Sequence, residues 1–490
     1  MRKFLILFAL LLAGGPLPAQ ETLQQKLDRL VAREPLKGAV VGVMVQDMDG
    51  SVLAQRESGR RMVPASNLKL ITTGTALHAL GPDFRFETRI GYTGTVEDGT
   101  LRGDVYLIGG GDPTIAVSDS IAVKADALFW RWKSLLKEAG ISRIDGRIIG
   151  DGRAFEGHLE NPSWAYDDLG TYYGAGTSAL SFYANAVDYG VAAGAEGAPV
   201  KVNQLYPDTP WMHFGNLTVT GAKGTGNSLY LYTTDLAPYA ELRGTFAADR
   251  PPKTEHFANK YGALTCAYYF WKNLRDTGWT VTGGYADIDR GGYVRGSDFV
   301  PGDKAGSPTA VGTSYSPALS KIVRETLVRS DNFYAEALFR QMGERSSGIA
   351  AYDSSRVAVL DVLEGLLGKD LSGLRLEDGS GLSRMNTVSP AFLTAFLRAM
   401  TRSRGFDAFL AGLPMPGEGT LSALLPRLTK EQKERFRLKS GSMDGVLCYS
   451  GYVLDETGSP VKVFSILVNG ATARTAELRA ALGAFLQEML

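Results

Sequence analysis

The chain has 490 residues, with 52 basic against 52 acidic side chains, 44% hydrophobic residues, 58 glycines and two cysteines. That length exceeds one ordinary core and predicts two or three domains, and the composition excludes a mainly disordered protein. A formal net charge of zero gives no broad attraction to a polyanion, so no nucleic-acid partner is expected.

Arg2 and Lys3 precede an apolar run, Phe4 to Ala13, which Gly14-Gly15-Pro16 breaks before Leu17-Pro18-Ala19. This is the pattern of a secretory leader over residues 1–19, cut after Ala19. The run is about half of the ~20 apolar residues that a bilayer span needs, and no later segment is long and apolar enough. The expectation is an exported chain with no transmembrane anchor after cleavage, periplasmic if the source is a Gram-negative bacterium.

Ala39 to Asp47 reads as a strand, Met48-Asp49-Gly50 as a turn, and Ser51 to Gln55 as the returning strand of a hairpin. Pro64 then opens a helix in which Leu70, Gly74 and Leu77 recur at helical spacing, and Gly81-Pro82 stops it. Ser66 falls in its first turn. From Phe86 to Val294 the texture changes to short strands rich in Thr, Tyr and Gly, such as Leu229 to Thr233. Two helical stretches interrupt them, Ala125 to Ala139 and Ala263 to Thr277. Trp130 and Trp132 read as core of this region rather than as a glycan-binding platform. Arg295 to Pro308, polar and broken by Gly and Pro, reads as a linker.

Ser316-Pro317 is an N-cap followed by proline at the first helical position. The helix it starts breaks at Arg329 to Asn332, and a second helix, Tyr334 to Met342, stops at Gly343. Further on, Phe436 to Lys439, Leu447 to Leu454 and Val461 to Val468 read as strands, the last apolar on both faces as a doubly covered central strand would be. Leu478, Leu482, Phe485 and Met489 mark a terminal amphipathic helix. Strands at both ends of the mature chain predict one sheet assembled from the two termini, with the middle as an excursion from it.

Cys266 and Cys448 lie far apart and read as buried free thiols. His78, His158, His213 and His256 form no close ligand pair, so no metal site and no cofactor is expected.

Ser66-Asn67-Leu68-Lys69 sets an amine one helical turn from a hydroxyl. A serine hydroxyl becomes a nucleophile when a base takes its proton, and a lysine can serve when burial or a nearby cation lowers its pKa. The same spacing occurs at Ser134 to Lys137 and Ser459 to Lys462. Ser134 falls mid-helix and Ser459 in a turn, whereas Ser66 is at a helix N-terminus, where main-chain N–H groups favour a developing oxyanion. Ser330-Asp331-Asn332 falls in the break between two helices, and Lys439-Ser440-Gly441-Ser442 follows a short strand.

In that order the three elements resemble the signature of penicillin-binding proteins and serine β-lactamases. Ser66 and Ser330 are 264 residues apart, far more than in compact β-lactamases. That placement is similar to the D-alanyl-D-alanine carboxypeptidase/endopeptidase family of class C type-4 low-molecular-mass penicillin-binding proteins, peptidase family S13. Gly110-Gly111-Asp112-Pro113-Thr114, Asp378-Gly379-Ser380-Gly381-Leu382-Ser383-Arg384 and Val468-Asn469-Gly470 resemble the same family. Ser440 departs from its commoner threonine but keeps the hydroxyl.

The resemblance implies an α+β fold of the penicillin-binding-protein/serine β-lactamase-like transpeptidase type. This is an antiparallel sheet with helices, carrying a large strand-rich insertion between the Ser-x-x-Lys and Ser-x-Asn motifs. The expected domains are a discontinuous DD-peptidase domain, 20–85 with 295–490, and an inserted region, 86–294, of one or two subdomains. The implied function is a serine DD-peptidase acting on peptidoglycan stem peptides at D-Ala-D-Ala termini, D-Ala cross-links or both, with β-lactams as covalent inhibitors.

Carried over by motif position, Ser66 would attack and Lys69 would accept its proton. Ser330 would relay a proton to the leaving amine, and Asn332 would hold Lys69 and the substrate amide. Lys439 would keep Lys69 neutral and attract the substrate carboxylate, which Ser440 and Ser442 would bind. Gly441 would let the strand edge approach the ligand, and the N–H groups of Ser66 and Ser442 would form the oxyanion hole. Asp378, Ser380 and Arg384 read first as a turn and second as the rim of the site, His78 as structural, and Asp331 as solvent-facing or capping. Two other functions stay open: a serine β-lactamase, which needs a base that hydrolyses the acyl-enzyme quickly, and a non-catalytic peptidoglycan-binding protein.

Overall fold

A computed structural model describes residues 21–490; the expected leader lies outside the described residues. The chain's two ends meet in one five-stranded antiparallel sheet, ordered Val52–Arg56, Val40–Asp47, Pro460–Asn469, Val446–Leu454, Phe436–Met443. Val43 pairs with Ile466, and Cys448 with Leu467. The strand Pro460–Asn469 is buried from Val463 to Val468 because both of its faces are covered. Phe464, Ile466 and Val468 face a core shared with the helices Leu23–Val31 and Thr475–Gln487, while Val463 and Leu467 face the core of the main helical layer. Side chains alternate across a strand, so one sequence of apolar residues serves two cores.

The helical layer contains Lys69–Leu80, Leu319–Arg329, Asn332–Ser347, Tyr352–Leu367 and Pro390–Met400. The helix after Pro64 is not continuous α-helix: Ala65–Leu68 is a 3-10 turn and the α-helix starts at Lys69. Ser316 is not an N-cap either. Its hydroxyl accepts the N–H of Phe86 at 2.9 Å, and the helix begins at Leu319. Nor does Gly343 stop a helix, because Asn332–Ser347 runs through it to the left-handed Gly348. A Cβ at Gly343 would lie 2.5 Å from Ser355 Oγ and 2.8 Å from Ser355 N, so this glycine exists for helix-to-helix contact.

The excursion is built on a seven-stranded sheet with the helices Ala125–Glu138 and Gly262–Asp276, plus a four-stranded and two three-stranded sheets. It ends later than expected. The stretch read as a linker carries the strand Pro301–Lys304, and Thr309–Tyr315 pairs with Glu87–Tyr92 in the same sheet. Residues past 294 therefore return through that sheet before the chain rejoins the helices. Trp132 is buried, its indole N–H donating to Ser314 Oγ at 2.9 Å, but Trp130 is 64% exposed and is not core. Cys266 and Cys448 are both free and buried. No helix among the described residues is long and apolar enough to cross a membrane.

Candidate active site

Ser66 lies in the 3-10 turn, half-buried at the edge of the helical layer. Residues i and i+3 eclipse in 3-10 geometry, and Lys69 Nζ stands 2.8 Å from Ser66 Oγ. Four contacts pin this turn. Asn469 accepts the N–H of Val63 at 2.8 Å and donates to its carbonyl at 3.0 Å. Asn67 donates to Ser450 Oγ at 2.8 Å. A Cβ on Gly441 would fall 2.3 Å from Pro64 O and 3.1 Å from Ser66 N, and one on Gly381 would fall 2.0 Å from Ala65 O. Both glycines let other backbone segments press directly onto the serine turn.

Lys69 is fully buried, and its amine touches three oxygens: Ser66 Oγ at 2.8 Å, Asn332 Oδ1 at 2.7 Å and the main-chain carbonyl of Ser380 at 2.8 Å. Burial pulls its pKa down to about 8, against the opposing pull of Asp378, Asp331 and Glu336. As a free amine it keeps two N–H bonds and a lone pair. The amide oxygen and the carbonyl can only accept, so the hydroxyl is the one partner able to donate to that lone pair.

Ser330 closes the helix Leu319–Arg329 in the left-handed conformation, φ 60° and ψ 37°. For a serine this costs roughly 1–2 kcal/mol. Its hydroxyl accepts from Lys439 Nζ at 2.9 Å, and Lys439 also donates to Ser440 O at 2.7 Å. Burial first, and the neighbouring Lys69 second, hold the Lys439 pKa well below its ordinary value. Asp331 caps the next helix by accepting the N–H of Tyr334 at 2.9 Å. Asn332 donates to the carbonyl of Tyr173 at 3.1 Å. Ser66, Lys69 and Asn332 therefore form one hydrogen-bonded group and Ser330 and Lys439 a second, close enough for Lys69 to act on the Lys439 amine.

Ser440 and Ser442 are the more exposed positions of their strand, alternating with buried Lys439 and Gly441. Ser440 Oγ lies 2.8 Å from Thr420 Oγ1. Thr420 lines a cavity of about 420 Å³ together with Ser330, Asn332 and Tyr172. The two other Ser-x-x-Lys pairs lead elsewhere. Ser134 donates to the carbonyl of Trp130, and Lys462 donates to that of Met489. His78 contacts Ser403 at 2.9 Å, away from these groups.

The D-Ala-D-Ala carboxypeptidase 3 (S13) family matches residues 23–489. The chain belongs to the S13 family. It is 31% identical over 467 residues to a D-alanyl-D-alanine carboxypeptidase of Actinomadura sp. strain R39, covering 91% of this chain and 81% of that one. It is 24% identical to a D-alanyl-D-alanine carboxypeptidase of Haemophilus influenzae, covering 89% of this chain and 86% of that one. The crystal structure of penicillin binding protein 4 from Haemophilus influenzae superposes with a TM-score of 0.77 at 23% identity, over 94% of this chain and 98% of that one, and shows the fold. A structure of the same protein with a novel β-lactam matches at a TM-score of 0.72 and 22% identity, covering 95% and 98%.

The loop of Asp378 and Ser380, read first as a turn, is a turn set against this site, and Glu336 beneath it was not anticipated. Asp378 anchors its loop by accepting from Gly381 N, Ser383 N, Asn386 Nδ2 and Trp164 Nε1 at 2.7–2.8 Å. Beneath it the buried Glu336 accepts the N–H of Ser380 at 2.7 Å and of Gly379 at 3.1 Å. Burial and the Asp378 charge push the Glu336 carboxyl up to about 8. These bonds aim the Ser380 carbonyl at Lys69. Glu336 lies four residues past Asn332 on a helix that also buries Arg340 and Gln341, so its place in the sequence did not single it out.

Proposed function

We propose that this S13 enzyme hydrolyses D-Ala-D-Ala termini of peptidoglycan stem peptides through an acyl-enzyme on Ser66. The observation that carries the reading is the amine of Lys69, buried, with a lowered pKa, and committed on two sides to acceptors that leave its lone pair to the Ser66 hydroxyl. Ser66 Oγ attacks the penultimate D-Ala carbonyl while its proton passes to Lys69. The N–H groups of Ser66 and Ser442 stabilise the oxyanion. Collapse breaks the peptide bond, and the proton that Lys69 took passes by way of the Ser330 hydroxyl, held by Lys439, to the leaving D-Ala amine, which returns Lys69 to the free amine. Water then hydrolyses the ester and restores the serine. Ser440 and Ser442 hold the terminal carboxylate, and Lys439 draws it in.

Cleavage of D-Ala cross-links is proposed as a second activity of the same site, because the cavity beside Ser330 and Asn332 is open to a larger leaving group. β-Lactams acylate Ser66. Hydrogen bonds to Ser66 Oγ come from Lys69 alone among the described side chains, which supports slow loss of the penicilloyl group rather than β-lactamase turnover. The division into a peptidase unit and an inserted unit is proposed with the closing boundary moved to about residue 315.

Mass spectrometry of purified peptidoglycan fragments before and after incubation tests the proposal. Loss of one alanine and splitting of dimers report the two activities separately, and Ser66→Ala abolishes both. Unchanged alanine release by Ser66→Ala overturns the assignment.

A further inference from the structure

The Gly-Gly-Asp-Pro-Thr stretch at residues 110–114 plays no part in the chemistry above, but it starts a strap. Residues 110–124 leave the inserted seven-stranded sheet after the strand Val105–Gly109 and form neither helix nor strand before Ala125. The launch is tight: a Cβ on Gly110 would lie 2.5 Å from Glu87 O, and Asp112 turns the chain by accepting from Thr114 N and Thr114 Oγ1 at 2.8 and 2.7 Å. Val117 and Ile121 then pack on the core of the helical layer. Between them, Asp119 is nearly buried, at 7% side-chain exposure. It accepts the hydroxyl of Tyr334 at 2.7 Å and forms an ion pair with Arg329.

Arg329 and Tyr334 bracket Ser330-Asp331-Asn332. Tyr334 is held at both ends, its N–H by Asp331 and its hydroxyl by Asp119. On the other side of the break, Asn332 donates to the Tyr173 carbonyl, again from the inserted region. We infer that Asp119 is a positioning residue: from the inserted region, it clamps Arg329 and Tyr334 and so holds Ser330 in the left-handed conformation that aims its hydroxyl at Lys439. The inference rests on the proposed role of Ser330. It gives the insertion a catalytic purpose, since a short peptide break carrying an unfavourable φ keeps its shape only where surrounding contacts over-determine it.

The test is the concentration dependence of acylation by a fluorescent penicillin, with rates expressed per titratable active site, for Asp119→Ala, Asp119→Asn, Tyr334→Phe and Ser330→Ala. Asp119→Ala is expected to lower the limiting acylation rate at least tenfold with the half-saturating concentration within twofold. Asp119→Asn, whose amide oxygen still accepts the Tyr334 hydroxyl, recovers most of that loss, and Tyr334→Phe lowers the limiting rate in the same direction. An unchanged limiting rate in Asp119→Ala, with only fewer titratable sites or a shifted half-saturation, overturns the inference, and so do equal losses in Asp119→Ala and Asp119→Asn. Ser330→Ala separates the two levels. If it acylates normally the reading of Ser330 fails; if it is impaired while Tyr334→Phe and the Asp119 variants are not, the clamp alone fails.

Discussion

Ser380 reaches Lys69 through its main-chain carbonyl, 2.8 Å from the amine, and not through its hydroxyl. Ser380→Ala is therefore expected to keep acylation within about threefold of the parent, at a stability cost of about 1 kcal/mol for the hydrogen bond that its hydroxyl accepts from the Leu382 N–H. Gly381→Ala, one residue on, forces a Cβ onto Ala65 O at φ 83° and is expected to lose both acylation and several degrees of melting temperature. Melting curves and penicillin-binding rates on the two variants check this contrast.

Lys69→Arg keeps the positive charge and donors but cannot release a proton near neutrality. Its acylation rate is expected to fall by about 10²–10⁴, the usual worth of a general base. Mass spectrometry of the penicilloyl adduct over time reads the loss directly. A Lys69→Arg enzyme that acylates at the parent rate would remove Lys69 from its proposed role.

In the proposed reaction acylation needs Lys69 as the free amine, so its rate is expected to rise with pH and level off above about 8. Asp331 is one of the anions that favour the protonated form. Asp331→Asn keeps a helix cap of equal quality but removes that anion, so the rising limb moves to lower pH. Stability carries the same signature. Between pH 8 and 10.5 the unfolded chain retains a proton that folded Lys69 has released, so this group makes folding more favourable as pH rises across that window. Lys69→Met flattens the rise, as denaturant titrations over this range will show.

Gly441→Ala places a methyl group 2.3 Å from Pro64 O and 2.8 Å from Asn67 N. Both are main-chain atoms, so the edge strand must move away from the serine turn. We expect a destabilisation of about 1–3 kcal/mol and a loss of acylation out of proportion to it, measured as rate per folded molecule.

Much of the fold is legible in the sequence. The hairpin at 40–56, the doubly buried strand ending at Asn469 and the break at Ser330 each have a local cause: alternation, continuous apolarity and a stop between helical runs. The five motif side chains that the fold brings together could be named from the sequence, because what singles them out lies in the side chains. The Ser380 and Tyr173 contributions could not, since both are carbonyls and any residue has one. Asp119 and Glu336 were hidden for another reason. Each acts on a partner brought close only by the fold, and a lone carboxylate in sequence reads as surface. Gly343 was misread because a helix stop and a close helix-to-helix contact demand the same residue.

The five-stranded sheet joins Val40–Asp47 to Pro460–Asn469, so its first hairpin waits for the far end of the chain before it gains its inner neighbour. Contacts of such wide sequence separation form late and slowly. The excursion has an apolar centre of its own around Trp132 and Phe270 and can condense while that hairpin is still unpaired. Folding is thus expected to run from the middle outward, with the Ser66 turn, wedged against the edge strand Phe436–Met443, settling only once the two ends of the chain have met.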